Sequence, residues 1–189
     1  QAPSTTLSQA RGLSGVYVRA LLSHSDGALY VGTSSGLNRY DGDLATPVGQ
    51  RQGAPISVLI LTSAQRGGRW VGTYTDGLTY FDGQHIHDLL NRNNGLPSNE
   101  VRAVLEQENG ALWVGTAAGL VYQDPQGQLT LYTDKDGLPG NFIMALAEDS
   151  QGRVWVGTGV GVAHIDNTQV TTVPISLNFD SEYAFGFAM

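Results

Sequence analysis

Seventeen acidic residues against ten basic ones, all arginine except Lys135, give this 189-residue chain a net charge of −7, leaving no basic stripe to hold nucleic acid or an anionic membrane. The length suits one domain with a sizeable core, and the lack of cysteine excludes a disulfide framework, thiolate chemistry and any Cys-based metal site. Charged residues make up only 14% while there are 25 glycines, a balance expected where tight turns are many and strands are covered on both faces.

The longest apolar run, Ile56 to Leu61, is broken by Ser57 and far too short to span a bilayer. No signal peptide is visible, yet the chain begins at Gln1 and not at a methionine. Processing or trimming is therefore expected, which leaves a lost targeting or membrane segment open.

An internal repeat organises the chain. Val-Gly-Thr occurs at 31–33, 71–73, 114–116 and 156–158, with Gly32, Gly72, Gly115 and Gly157 spaced by 40, 43 and 42 residues. An aromatic precedes each copy: Tyr30, Trp70, Trp113 and Trp155. A second landmark follows at fixed offset in Gly36-Leu37, Gly77-Leu78, Gly119-Leu120 and Gly161-Val162. Two landmarks held in register four times are not chance.

The first unit spans residues 16–49 and the second 55–90. The third, 101–133, shows its strands most clearly: Val101 to Gln107, Ala111 to Thr116, Leu120 to Asp124 and Gln128 to Thr133. The turns between them are Glu108-Asn109-Gly110, Ala117-Ala118-Gly119 and Pro125-Gln126-Gly127. The fourth unit is read over 141–175, and 176–189 reads as the start of a fifth. No segment carries helical periodicity over ten or more residues.

A lone four-stranded meander leaves both its faces wet, and stacking such units around an axis covers them. The expected fold is all-β: a β-propeller of four four-stranded antiparallel blades plus the start of a fifth, a single partial domain cut from a larger ring. Trp113 is placed to fill the wedge towards a neighbouring blade, and Gly115, on the same face, to admit that neighbour closely. Leu112 and Val114 point the other way. Outer blade faces left uncovered in such an arc should be apolar, and self-association through them is expected.

Gly95-Leu96-Pro97-Ser98-Asn99-Glu100-Val101 followed by Glu108 to Leu120, and Gly137-Leu138-Pro139-Gly140-Asn141 followed by Glu148 to Thr158, resemble the two-component regulator propeller repeat. The resemblance runs over about residues 11 to 166. Units one and two depart from it, with Tyr30 for tryptophan and Gln52-Gly53-Ala54-Pro55 leading into the second. It implies a non-enzymatic, periplasmic or otherwise extracytoplasmic sensor segment of a bacterial signal-transduction protein, from a seven-bladed type of ring. The output kinase or diguanylate cyclase and the membrane helix would lie outside this chain. The layout is also similar to that of WD propellers, but the Trp-Asp dipeptide is absent.

Residue chemistry offers few reaction centres. His85 and His87 flank Ile86, so their rings share a face, but no third ligand is placed and a surface pair is the simpler reading. Asp134-x-Asp136-Gly137 lacks the rest of a calcium loop, whose twelfth position would be Ala145. Asp41, Asp82 and Asp166 recur as turn acids, and Thr33, Thr73, Thr116 and Thr158 are expected to bond nearby backbone. Gly157-Thr158-Gly159-Val160-Gly161 falls on the repeat landmarks and is no phosphate loop. No cofactor, metal site or catalytic residue is expected. Binding is expected at the ring mouth, with Arg51, Arg92, Asn94, Asn99, Asp136, Asn141, Asp180 and Tyr183 as candidates for a small polar ligand such as an oligosaccharide. Alternatives are a propeller lyase of the streptogramin-lyase type, needing a non-repeated His and acid cluster with a metal, and a passive protein-interaction scaffold.

Overall fold

A computed structural model describes residues 6–25, 27–51 and 54–174. The first blade holds β1 (Val18–Ser23), β2 (Leu29–Thr33), β3 (Gly36–Tyr40) and β4 (Ala45–Val48). The second holds β5 (Val58–Ser63), β6 (Arg69–Thr73), β7 (Leu78–Phe81) and β8 (Ile86–Leu90). The third holds β9 (Val101–Glu106), β10 (Leu112–Thr116), β11 (Gly119–Gln123) and β12 (Leu129–Tyr132). The fourth holds β13 (Ile143–Glu148), β14 (Val154–Thr158), β15 (Val162–Asp166) and β16 (Gln169–Val173). Each set forms its own four-stranded antiparallel sheet in sequence order. The fold is all-β and propeller-like, as the repeat predicts. The expected fifth-blade start at 176–189, with Asp180 and Tyr183, lies outside the described residues.

The sheets stack through their first strands, β1 on β5, β5 on β9 and β9 on β13, which makes these the innermost strands of the arc. Between the first two blades, Tyr30 and Leu37 pack with Ile56, Val58, Val71 and Phe81. Between the second and third, Trp70 and Leu78 meet Val101, Leu112 and Val114. Trp113 and Leu120 meet Ile143, Val154 and Val156 between the third and fourth. The two faces of β10 thus serve opposite neighbours. Burying one large aromatic in this way is worth about 3 kcal/mol, so Trp70 and Trp113 are principal ties between blades.

The landmark glycine works beside the aromatic. A Cβ on Gly115 would stand 2.6 Å from Ile143 Cγ2, and one on Gly72 would stand 2.8 Å from the Val101 carbonyl oxygen. Any side chain there would push the next innermost strand away. Trp155, in the fourth blade, is half-buried, with His164 and Arg153 as its ring neighbours. On the far face of the first blade, Leu13 and Leu7 pack on Val31 and Ala45, while Leu21 remains 60% exposed. That face is therefore partly clothed by the chain's own leading segment, a cover the repeat alone did not predict.

Candidate functional site

The repeated polar residues are engaged in scaffold bonds. Thr33, Thr73, Thr116 and Thr158 each donate from Oγ1 to the carbonyl of Gly36, Gly77, Gly119 and Gly161, at 2.8–3.1 Å, closing the turn between the second and third strands. Asp41 accepts from the Asp43 and Leu44 N–H groups, and Asp82 from those of Gln84 and His85. These N–H groups hold both carboxyls below the usual carboxylate range, the Asp82 carboxyl with added help from the His87 ring. The turn-acid reading fits both.

Indole N–H groups show how the blades are tied. Trp113 Nε1 donates to Gln107 Oε1 (2.9 Å), and Gln107 Nε2 donates onward to Glu148 Oε1 of the fourth blade (2.6 Å). Trp155 Nε1 donates to Asp149 Oδ2 (2.8 Å), which also receives Arg153 Nε. The Trp155 bond leads the causes that hold the Asp149 carboxyl well below the usual carboxylate range. In the second blade the matching position is Ala64, which has no acceptor. There Trp70 Nε1 reaches across to Glu106 Oε2 of the third blade (2.7 Å), an oxygen that also takes the Gln65 N–H.

His87 Nε2 lies 2.8 Å from Asp82 Oδ2 and His85 Nδ1 lies 3.9 Å from the same oxygen, both rings largely exposed on and beside β8. Among the described residues no group of three His, Cys, Asp or Glu side chains is placed to hold a metal. His164 on β15 stacks obliquely on Trp155 at 5.2 Å.

The loops leading into the third and fourth blades share one internal design. Asn99 Oδ1 accepts the Arg92 N–H, and Asn141 Oδ1 accepts the Asp134 N–H, both at 2.8 Å and both seven residues apart. Asn94 Oδ1 accepts from the Asn91 N–H, and Asp136 Oδ2 from the Thr133 N–H. In the second case a reciprocal capping box forms around a 3-10 turn over Asp134–Asp136. Asn94, Asn99, Asp136 and Asn141 thus act as matched loop-building pairs. Arg51 differs, since it ties the loop before β5 to blade two through Asp76 (3.2 Å) and Asp88 (2.6 Å). Arg92 is exposed, its backbone held by Asn99.

At the axis stand residues that the sequence reading missed. Each innermost strand carries a register shift opposite its Gly-Thr pair: Val18 faces Thr33 but Ala20 faces Gly32, and the same slip recurs at Val58/Ile60, Val101/Ala103 and Ile143/Ala145. One extra residue per blade is left unpaired there: Arg19, Leu59, Arg102 and Met144. Such bulges re-aim side chains. Arg19, Leu59 and Arg102, joined by Tyr74 from the β6–β7 turn, line one open cavity of about 340 Å³. Aligning the four units would have exposed this position, because it is where they disagree, one residue ahead of Ala20, Ile60, Ala103 and Ala145.

Residues 95–118 and 137–159 match the two component regulator propeller family. No curated protein matches the chain. Among solved structures, the chain is similar to the extracellular domain of a B. thetaiotaomicron protein described as a hybrid two component system, BT3049. That likeness has a TM-score of 0.75 and 22% identity, covering 88% of this chain and 24% of that one. The extracellular domain of BT4673, described as a one component system of the same organism, matches at TM-score 0.73 and 20% identity, over 92% and 24%. Virginiamycin B lyase from Staphylococcus aureus matches at TM-score 0.65 and 14% identity, over 86% and 57%. At these identities the likenesses carry the fold, and the chain spans about a quarter of the length of the first two.

Proposed function

From the premise that residues 95–118 and 137–159, the lead-in loops and first two strands of the third and fourth blades, match the two component regulator propeller, we propose that this chain is a non-enzymatic ligand-sensing segment of a bacterial signalling protein, working outside the cytoplasm. The observation that carries the reading is that match, joined to the use of Trp70, Trp113, Gly72 and Gly115 for blade stacking and of all four repeated threonines for turn closure. The extracellular placement draws on the B. thetaiotaomicron neighbours. In this proposal the lead-in loops with Arg51, Arg92, Asn94, Asn99, Asp136 and Asn141 form a polar mouth towards a small ligand such as an oligosaccharide, and the output domain is a histidine kinase or diguanylate cyclase elsewhere in the protein.

Thermal-shift titration of the full-length protein against polar metabolites and glycans, with product analysis of each mixture, tests this. A ligand at 100 times its Kd stabilises the folded state by about 2.7 kcal/mol, and a sensor releases it unchanged. Conversion of the ligand to a product overturns the reading in favour of the lyase alternative. Binding of a protein partner with no small ligand overturns it in favour of a scaffold.

A further inference from the structure

The innermost-strand bulge is a fixed backbone device holding a variable residue. Its flanks are nearly constant in character and buried or half-buried: Val18 and Ala20, Val58 and Ile60, Val101 and Ala103, Ile143 and Ala145, with the exposed Val18 the exception. Those flanks face Gly-Thr pairs that are identical in all four blades. The bulged residue itself is not part of any inter-blade apolar cluster. Where packing makes no demand, the chain places arginine twice, out of ten basic residues in a protein of net charge −7.

Both guanidinium groups border the cavity that Leu59 and Tyr74 complete. Arg19 Nη1 rests 3.3 Å from Ser57 Oγ. Arg102 is anchored by Nε to Glu100 Oε1 at 2.6 Å, with its Cζ 4.6 Å from the centre of the Phe142 ring. These contacts engage one part of each guanidinium group. Among the described residues they leave the Nε and Nη2 groups of Arg19 and both Nη groups of Arg102 without hydrogen-bond partners. A planar fork of free N–H donors matches the oxygens of a carboxylate, sulfate or phosphate. Tyr74, 51% exposed, and Leu59 present carbon surface to the body of a ligand.

We infer that the axial cavity binds a small oxyanion-bearing molecule, with Arg19 and Arg102 as its paired counter-charges and Tyr74 and Leu59 against its carbon frame. This deepens the sensing proposal, on which its biological meaning rests. Glu100 is the built-in competitor, occupying one edge of Arg102.

Calorimetric titration of the full-length protein with glucuronate, N-acetylglucosamine 6-sulfate and glucose 6-phosphate, each beside its neutral parent sugar, tests the inference and tells the three anions apart. At least one charged probe is expected to bind about 10-fold or more tightly than its parent, and R19Q and R102Q are each expected to lose about 10-fold or more of that affinity. Glu100→Gln is expected to tighten the same probe, a gain that a merely structural Arg102–Glu100 pair would not give. Arg102→Lys, which keeps the charge and loses the fork, serves if R102Q fails to fold, and it too should weaken binding. No preference for any charged probe, or equal binding by the R19Q/R102Q double variant, overturns the inference. Neutral-ligand sensing that survives the double variant leaves the sensing proposal standing without this site. Anion binding at the arginines with no change in signalling output does the reverse.

Discussion

Replacing Gly72 with alanine puts the stacking account under direct strain. Its backbone is extended, so the new methyl meets no φ penalty and the cost comes from contact alone. That methyl would sit 2.8 Å from both the Val101 carbonyl oxygen and Val101 Cγ1, with Ile60 Cγ2 closer still. Ile60 is a side chain of the same blade and can turn. The Val101 oxygen is backbone of the next innermost strand, and a comfortable carbon–oxygen contact is about 3.3 Å. Relief therefore needs blade three to retreat by about 0.5 Å, enough to forfeit a quarter or more of the dispersion energy where Trp70 meets Leu112 and Val114. The expected loss is about 3 kcal/mol, the upper end for an overpacked core. Gly110 is the control, since a Cβ there has open space and only its φ of 85° to pay for, about 1 kcal/mol. Urea unfolding followed by tryptophan fluorescence should show a larger midpoint drop for Gly72→Ala, with slopes unchanged. Equal drops for the two variants would refute close blade approach at this glycine.

Glu106→Ala leaves the Trp70 indole N–H without its acceptor and should cost about 1–3 kcal/mol; Glu106→Gln, which keeps an oxygen there, should recover most of it in the same unfolding assay. The Asp149 carboxyl is held low by the Trp155 N–H and Arg153, so its contribution is complete above the ordinary carboxylate pKa of about 4 and disappears as pH falls. Melting temperature should therefore decline between about pH 5 and pH 2, and Asp149→Asn should flatten that decline; an unchanged acid slope in the variant would count against the link. The open part of the first blade's face, with Leu21 exposed, should drive concentration-dependent association of this chain by light scattering. Leu21→Glu should reduce it, and a monomer at all concentrations would contradict the expectation.

The propeller could be read from sequence because its landmarks answer to hard constraints. Gly72 and Gly115 tolerate no side chain, and each Thr closes the same turn, so the residues recur. The bulges escaped notice because strict alternation assigns every residue a partner, and an unpaired one leaves no trace in a single unit. The lead-in loops hid their logic differently. An asparagine that accepts its own loop's N–H, as Asn99 and Asn141 do, has the same composition as one facing a ligand. Comparing the two loops at their seven-residue spacing separates the cases. The crossed bond from Trp70 to Glu106 was illegible for a simpler reason: it depends on Ala64 lacking an acceptor, a fact that matters only once blades are side by side.

The repeated backbone slip on the inner strands has an implication for how such proteins change. Because Gly-Thr partners hold the kink in place, the amino acid that occupies it stands outside the apolar clusters between blades. Single-codon changes at Arg19, Leu59 or Arg102 can then rewrite the lining of that cavity one tooth at a time, while the apolar seams between blades stay as they are.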